Sequence, residues 1–193
     1  MLPQSSLDTL FLNARTHNGW LDKPVNDAQL HQIFDLMKMA PTSANCSPAR
    51  FVFVKTEAAR TKLLECVDAG NAQKVSTAPI TAIIGMDMAF YEKLPQLFPH
   101  ANARAWFEGK ATKIADTAFR NSSLQGAYFV LAARAIGLDC GPMSGFDHEK
   151  IDAAFWGGNT VKTNFICALG YGDATKLFPR SPRFAFDEAC QIE

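Results

Sequence analysis

The sequence predicts an α+β fold rather than a doubly wound α/β sheet. Three observations carry this. Strand-like and helix-like segments are mixed along the chain without strict alternation. APITAIIGM at 78–86 is apolar and β-branched, which reads as a buried strand. Residues 112–136 read as a long helix whose apolar side is rich in alanine and glycine, with Ala115, Ala118, Ala127, Ala132 and Ala135. Small side chains let other backbones approach, so this helix belongs at the centre.

The remaining elements follow in order. Leu7, Leu10, Phe11 and Ala14 have helical spacing, with Ser5 or Ser6 as the cap. A second helix has a fuller start signal: Asn26 as cap, Gln29 three residues on, and Val25 placed to staple to Leu30. Its apolar face is Leu30, Ile33, Phe34 and Met37, and Pro41 ends it. RFVFVK at 50–55 is a strand, and Thr56 caps a helix over 57–68. After the strand at 78–86, residues 87–111 carry five aromatics and two prolines without a clear period. A loop of this length is usually functional or disordered, and its aromatic content argues against disorder. We read it as an aromatic insertion and substrate lid. Gly137 ends the long helix, and a short extended piece runs to Pro142. Asp147 caps a further helix with Phe146 and Ile151 as its staple, and TNFICALGYG at 163–172 is the last strand.

Composition bounds the function. With 193 residues, 48% of them hydrophobic, residues 1–193 make one domain with an ample core. Lysine plus arginine equals aspartate plus glutamate, so there is no basic field for nucleic acid and no basic amphipathic stretch for a membrane surface. Five cysteines, an odd number without CxxC spacing, and no signal peptide read as a reducing, cytoplasmic setting. Cys46 is the one cysteine whose surroundings single it out. No GxGxxG, GxxxxGK[ST], HExxH or GxSxG occurs, and the four histidines lack ligand spacing, so no metal site is expected. An enzyme of this sequence would place its reactive group on a bound cofactor.

The stretch between helix and strand, Pro41-Thr42-Ser43-Ala44-Asn45-Cys46-Ser47-Pro48, is small, hydroxyl-rich and uncharged. It is either a capped helix-to-strand turn or a surface for a flat, polar-edged ring. Three other places bear on the choice. ARTHNGW at 14–20 puts Arg15, His17 and Asn18 at a helix end, which suits a phosphate or is simply an exposed basic terminus. GNAQK at 70–74 offers Asn71 and Lys74, and RSPR at 180–183 offers Arg180 and Arg183.

Taken together, these segments resemble the FMN-dependent nitroreductase family over about residues 7–190. PTSANCSPARFVFV matches the family's proline, hydroxyl, asparagine, proline and strand motif. Arg15 and His17 match its early arginine element, and LAARAIGLDCGPMSGFD at 131–147 matches the end of its long helix. RTHNGW, the small polar turn and LFPHANARAWF are most similar to the malonic semialdehyde reductases of pyrimidine degradation. Glutamate, common in the family at position 144, is replaced here by Ser144.

The resemblance implies a three-layer α/β/α fold with a mixed or antiparallel central sheet. It also implies a cytoplasmic homodimer with FMN at the interface. Arg15, His17 and Arg183 would hold the phosphate, with Arg180 or Lys176 supplying a second charge. Asn71 and Lys74 would lie at the flavin's polar edge and ribityl side. Pro41, Thr42, Ser43 and Asn45 would line the ring from the partner chain. Pro142 leads into Ser144 and Gly145, whose N–H groups would face the reacting edge. The implied activity is ping-pong transfer from NADPH or NADH, with malonic semialdehyde reduced to 3-hydroxypropionate. Arg104 in the insertion is our candidate for the substrate carboxylate. Two other functions fit the sequence: a broad nitro or quinone reductase, and a flavin-binding protein without turnover.

Overall fold

A computed structural model describes all of residues 1–193. Four strands form one antiparallel sheet in the order β1-β2-β4-β3: β1 Ala49–Val54, β2 Ile80–Asp87, β3 Asp139–Met143 and β4 Val161–Gly170. β2 and β4 are central, and side chains alternate between two separate cores. Ile80, Ala82 and Ile84 of β2, with Cys167 and Leu169 of β4, face the first core. Ile83, Ile166 and Ala168 face the second. This period-two division of an almost wholly apolar run is what a sheet covered on both faces requires.

The first core is closed by α2 Asp27–Met37 and α6 Ala111–Ala135, and the second by α3 Glu57–Leu64, α4 Ala69–Thr77 and α7 His148–Phe155. The result is three layers, as expected. The capping box at α2 is present in both halves. Gln29 N donates to Asn26 Oδ1 at 2.9 Å, and Asn26 N donates to Gln29 Oε1 at 3.1 Å. Val25 and Leu30 share the first core. Thr56 and Asp147 cap α3 and α7 as read from the sequence. Gly137 takes φ 81° just past α6, the left-handed conformation that stops a helix.

α6 is central, and its small residues contribute unequally. Ala118 and Ala132 are buried, while Ala127 and Ala135 are exposed. The close approach is made by Gly126, where a Cβ would lie 2.5 Å from the Phe165 ring of β4. Its buried face also carries Thr117, Asn121, Ser122 and Gln125.

Other boundaries differ as well. The N-terminal helix is short, α1 Gln4–Leu7, and widens into a π turn over Asp8–Leu12. No serine caps it; Pro3 stands at the cap. The helix after Thr56 stops at Leu64, and α4 follows as a separate helix. α4 has little apolar signal because Val75 is its one buried residue. The extended piece before Pro142 is the edge strand β3.

The insertion is folded: two 3₁₀ turns, Phe90–Lys93 and Ala103–Trp106, flank α5 Leu94–Leu97. Phe90, Leu94, Ala103 and Phe107 form a third, smaller core with Cys46 and Ala118. The last element is α8 Phe186–Ala189. No helix is long and apolar enough to cross a membrane.

Candidate functional site

The edge strand β3 organises the site, because segments distant in sequence meet along it. Thr16 bridges to Cys140 in parallel register, and His17 N donates to Cys140 O at 3.0 Å. One residue on, Gly141 lies under three neighbours. A Cβ there would sit 2.6 Å from His17 O, 3.1 Å from Lys74 Cδ and 3.4 Å from Trp20 Cζ2. Trp20 Nε1 donates to Lys74 O at 3.2 Å, which fixes α4 above the strand. Burial pushes the Lys74 ammonium below the ordinary lysine value.

Beyond the strand, Gly145 is equally crowded, with Asn71 Nδ2 and Asp68 Oδ2 each 2.7 Å from a hypothetical Cβ. Gly145 O accepts from Asn71 Nδ2 at 2.9 Å and from Asp68 N at 3.1 Å. The N–H groups of Ser144 and Gly145, by contrast, find no acceptor in the chain. Lys74 and Asn71, one turn apart on α4, thus stand over Gly141 and Gly145.

At the Cys140 end of this line is a cavity of about 680 Å³ walled by Arg15, Arg134, Arg180 and Arg183, with Asn18, Thr16 and Ser181 among its other lining residues. No aspartate or glutamate lines it, and none of its arginines forms an ion pair. They are held by carbonyls instead. Arg15 Nη2 donates to Phe178 O, Arg180 Nη2 to Leu12 O and Ala14 O, Arg183 Nη1 to Ser181 O and Pro182 O, and Arg134 Nη1 to Leu10 O. In a chain of zero net charge, this is a local excess of positive charge suited to an anion.

The residues that the sequence pointed to divide clearly. Arg15, Arg180 and Arg183 come together, and Asn71 meets Gly145. His17 does not line the arginine cavity. Its imidazole is buried, with Nε2 3.4 Å from Asp139 Oδ1 and Nδ1 packed on Gly172 without a partner. Arg134, Asp139 and Gly141 were not singled out by the sequence. Arg134 looks like any basic residue in a helix's last turn, and Asp139 and Gly141 have no local pattern.

The small polar turn is a separate structure within this chain. Ala44, Asn45 and Ser47 all have positive φ, 50°, 49° and 37°, which costs roughly 1–2 kcal/mol for each side chain bearing a Cβ. Neighbouring bonds hold that strain. Ser43 N donates to Asn121 Oδ1 at 2.8 Å and Ala49 N to Gln125 Oε1 at 2.9 Å. Asn121 and Gln125 are four apart on α6, so one helix face holds both ends of the turn. Asn45 Nδ2 donates to Leu97 O of the insertion, and Ser47 N to Thr42 Oγ1. None of Pro41, Thr42, Ser43 or Asn45 lines the arginine cavity. Cys46 is buried, and its thiol is pushed up to about 11 by that burial, so it is a packed, protonated group and not a nucleophile. Arg104, the candidate for a substrate carboxylate, is bound already: Nε and Nη2 to Glu92, Nη1 to Glu108.

Comparison with known proteins gives a consistent result. A Polynucleobacter asymbioticus protein named as a candidate NADH dehydrogenase/NAD(P)H nitroreductase is 62% identical over all of this chain and 98% of its own. A Ralstonia pickettii protein of the same description, HadB, is 57% identical over 97% of each chain. Among solved structures, the Bacillus subtilis nitroreductase-type protein YdfN superposes with a TM-score of 0.89 at 22% identity, over 99% of this chain and 100% of its own. One from Exiguobacterium sibiricum, described in complex with FMN, superposes at 0.87 and 19% identity, over 100% of this chain and 99% of its own. The family model for nitroreductases matches residues 13–172, and the chain belongs to the nitroreductase family.

Proposed function

We propose that the chain is an FMN-dependent oxidoreductase that takes electrons from NADPH or NADH and reduces a small carbonyl compound, malonic semialdehyde, to 3-hydroxypropionate. One observation carries the cofactor: the line along β3 from an arginine cavity free of carboxylates, past Lys74 over Gly141, to the two unpaired N–H groups of Ser144 and Gly145. A ligand with a dianionic end and a flat, polar-edged end fits that order of groups. Arg15, Arg180 and Arg183 hold the phosphate, Lys74 and Asn71 face the polar edge, and the N–H groups of Ser144 and Gly145 meet an acceptor at the reacting edge. FMN supplies the two-electron exchange between donor and acceptor, and the net reaction consumes one NAD(P)H and one proton per aldehyde. The chain's own work is orientation, since holding reactants at near-attack distance supplies much of the rate.

Two copies complete the site in this reading. The turn at 41–45 lies away from its own chain's arginine cavity. α6 exposes Phe119, Leu124 and Tyr128, and the tail exposes Phe184 and Phe186.

A second reading, a broad nitro or quinone reductase, is favoured by the state of Arg104. A guanidinium neutralised by Glu92 and Glu108 recognises a substrate carboxylate only by exchanging one of them. The test is anaerobic: reduce the yellow protein with one equivalent of NADPH, add malonic semialdehyde and follow the flavin band. Reoxidation near an ordinary turnover of ~10 per second supports the aldehyde. Slow reoxidation that accelerates on adding a quinone or nitroarene supports the second reading. Arg104→Ala decides the residue: a KM raised for the semialdehyde and not for an uncharged aldehyde assigns it the carboxylate, and equal effects assign it to the fold of the insertion.

A further inference from the structure

We infer that Arg134 is the fixed cation of the arginine cavity and that its guanidinium meets the phosphate of the cofactor directly; the inference rests on the FMN reading above. Four guanidiniums wall the cavity, but they are not equivalent. Arg15 lies in the loop that runs beside β3, and Arg180 and Arg183 lie on the extended chain after the last 3₁₀ turn, where both are exposed. Arg134 alone stands on regular structure. It is in the last turn of α6, the 25-residue helix that packs on the sheet and on α2.

Its hydrogen bonding is also incomplete. A guanidinium has five N–H donors, and Arg134 uses one of them, Nη1 to Leu10 O at 3.2 Å. Its Nε is buried and has no acceptor in the chain. A buried donor of a charged group is costly when unpaired, and this one belongs to a residue lining a cavity without a carboxylate. Its three other Nη donors have no acceptor in the chain either, and an anion in the cavity that Arg134 lines is the partner the geometry leaves for them. The bond to Leu10 O fits the same role, because it aims the guanidinium and ties down the segment leading to Arg15.

The alternative is that Arg134 only tethers Leu10. Charge separates the two. The dissociation constant of FMN from the full-length protein is measured by flavin fluorescence on dilution, from about 20 mM to about 500 mM NaCl. The parent is compared with Arg134→Gln, Arg134→Lys and Arg15→Gln. If the guanidinium pairs with the phosphate, Arg134→Gln weakens FMN by at least about tenfold at low salt, flattens the salt dependence, and is largely rescued by Lys. Weakening by Gln with the parent's salt dependence, or no rescue by Lys, assigns Arg134 to tethering and overturns the inference. Parent affinity in Arg134→Gln with weakened Arg15→Gln overturns it while leaving the FMN reading intact. Parent affinity in both overturns the reading itself.

Discussion

Gly172 shows how single atoms set this site. A Cβ there would lie 2.0 Å from His17 Nδ1, so the glycine exists to admit the imidazole. The same His17 faces Asp139, whose other oxygen accepts from Gly172 N at 2.9 Å. Gly172→Ala therefore displaces the ring and loosens both segments that lead to the arginine cavity. We expect a loss of about 1–3 kcal/mol in urea unfolding, the range of overpacked cores, with weaker FMN retention. Gly70→Ala is the control, since nothing lies within 4 Å of its Cβ and it sits in α4. It should be neutral or stabilising by up to about 1 kcal/mol. If both variants behave alike, the packing argument fails. Residue types with unusual local chemistry stand out in the sequence: it singled out Arg15, Arg180 and Arg183, which wall one cavity, and Asn71 and Lys74, which pack against Gly145 and Gly141. His17 was also singled out, but nothing in RTHNGW says that its ring turns inward, because that depends on Asp139 and Gly172 far along the chain.

At the scale of elements, starts were more legible than ends. Caps are local side-chain chemistry, and Asn26, Thr56 and Asp147 all act where the sequence put them. Asn26→Ala should cost about 1 kcal/mol, read from the urea midpoint. Asp147 adds a pH test. The N–H of Lys150 and the nearby lysine charge hold its carboxyl below the ordinary 3.8. A lowered value means stability that is present above the unfolded value and lost as pH falls through the folded one. The midpoint difference between the parent and Asp147→Asn should thus shrink as pH falls from about 6 to about 3, and a constant difference would assign the effect to cap geometry alone. The insertion was the least legible element, since its short 3₁₀ turns have no period. Phe90, fully buried, stacks edge-on against Phe107 at 5.0 Å in the core that also holds Cys46. Phe90→Ala should cost about 3–5 kcal/mol and speed amide exchange in 43–49 together with 90–107. Faster exchange in the insertion alone would show that the strained turn stands without it.

For the whole molecule, several large apolar side chains lie exposed on the single chain. Phe119 is 56% exposed and Leu124 45% on α6, Met39 is 75% exposed after α2, and Phe184 is 80% exposed in the tail. Large apolar side chains exposed to this degree are what an interface would cover, yet the hydropathy of the sequence showed those on α6 only as helix periodicity, because an interface and a core look the same to a helix. β1 is moreover an open sheet edge rich in phenylalanine, and such edges are normally covered. The proposed dimer accounts for both and explains why the turn at 41–45 stands apart from its own arginine cavity. Sedimentation should give twice the 21.2 kDa chain mass. Phe119→Glu with Leu124→Glu places two carboxylates on the α6 face and should give a folded monomer with unchanged far-ultraviolet dichroism. If the turn completes the site across the interface, that monomer also loses its flavin, and FMN affinity becomes dependent on protein concentration near the dimer's dissociation constant. A monomer that keeps FMN at the parent's affinity would place the whole site within one chain and leave the turn to support the insertion alone.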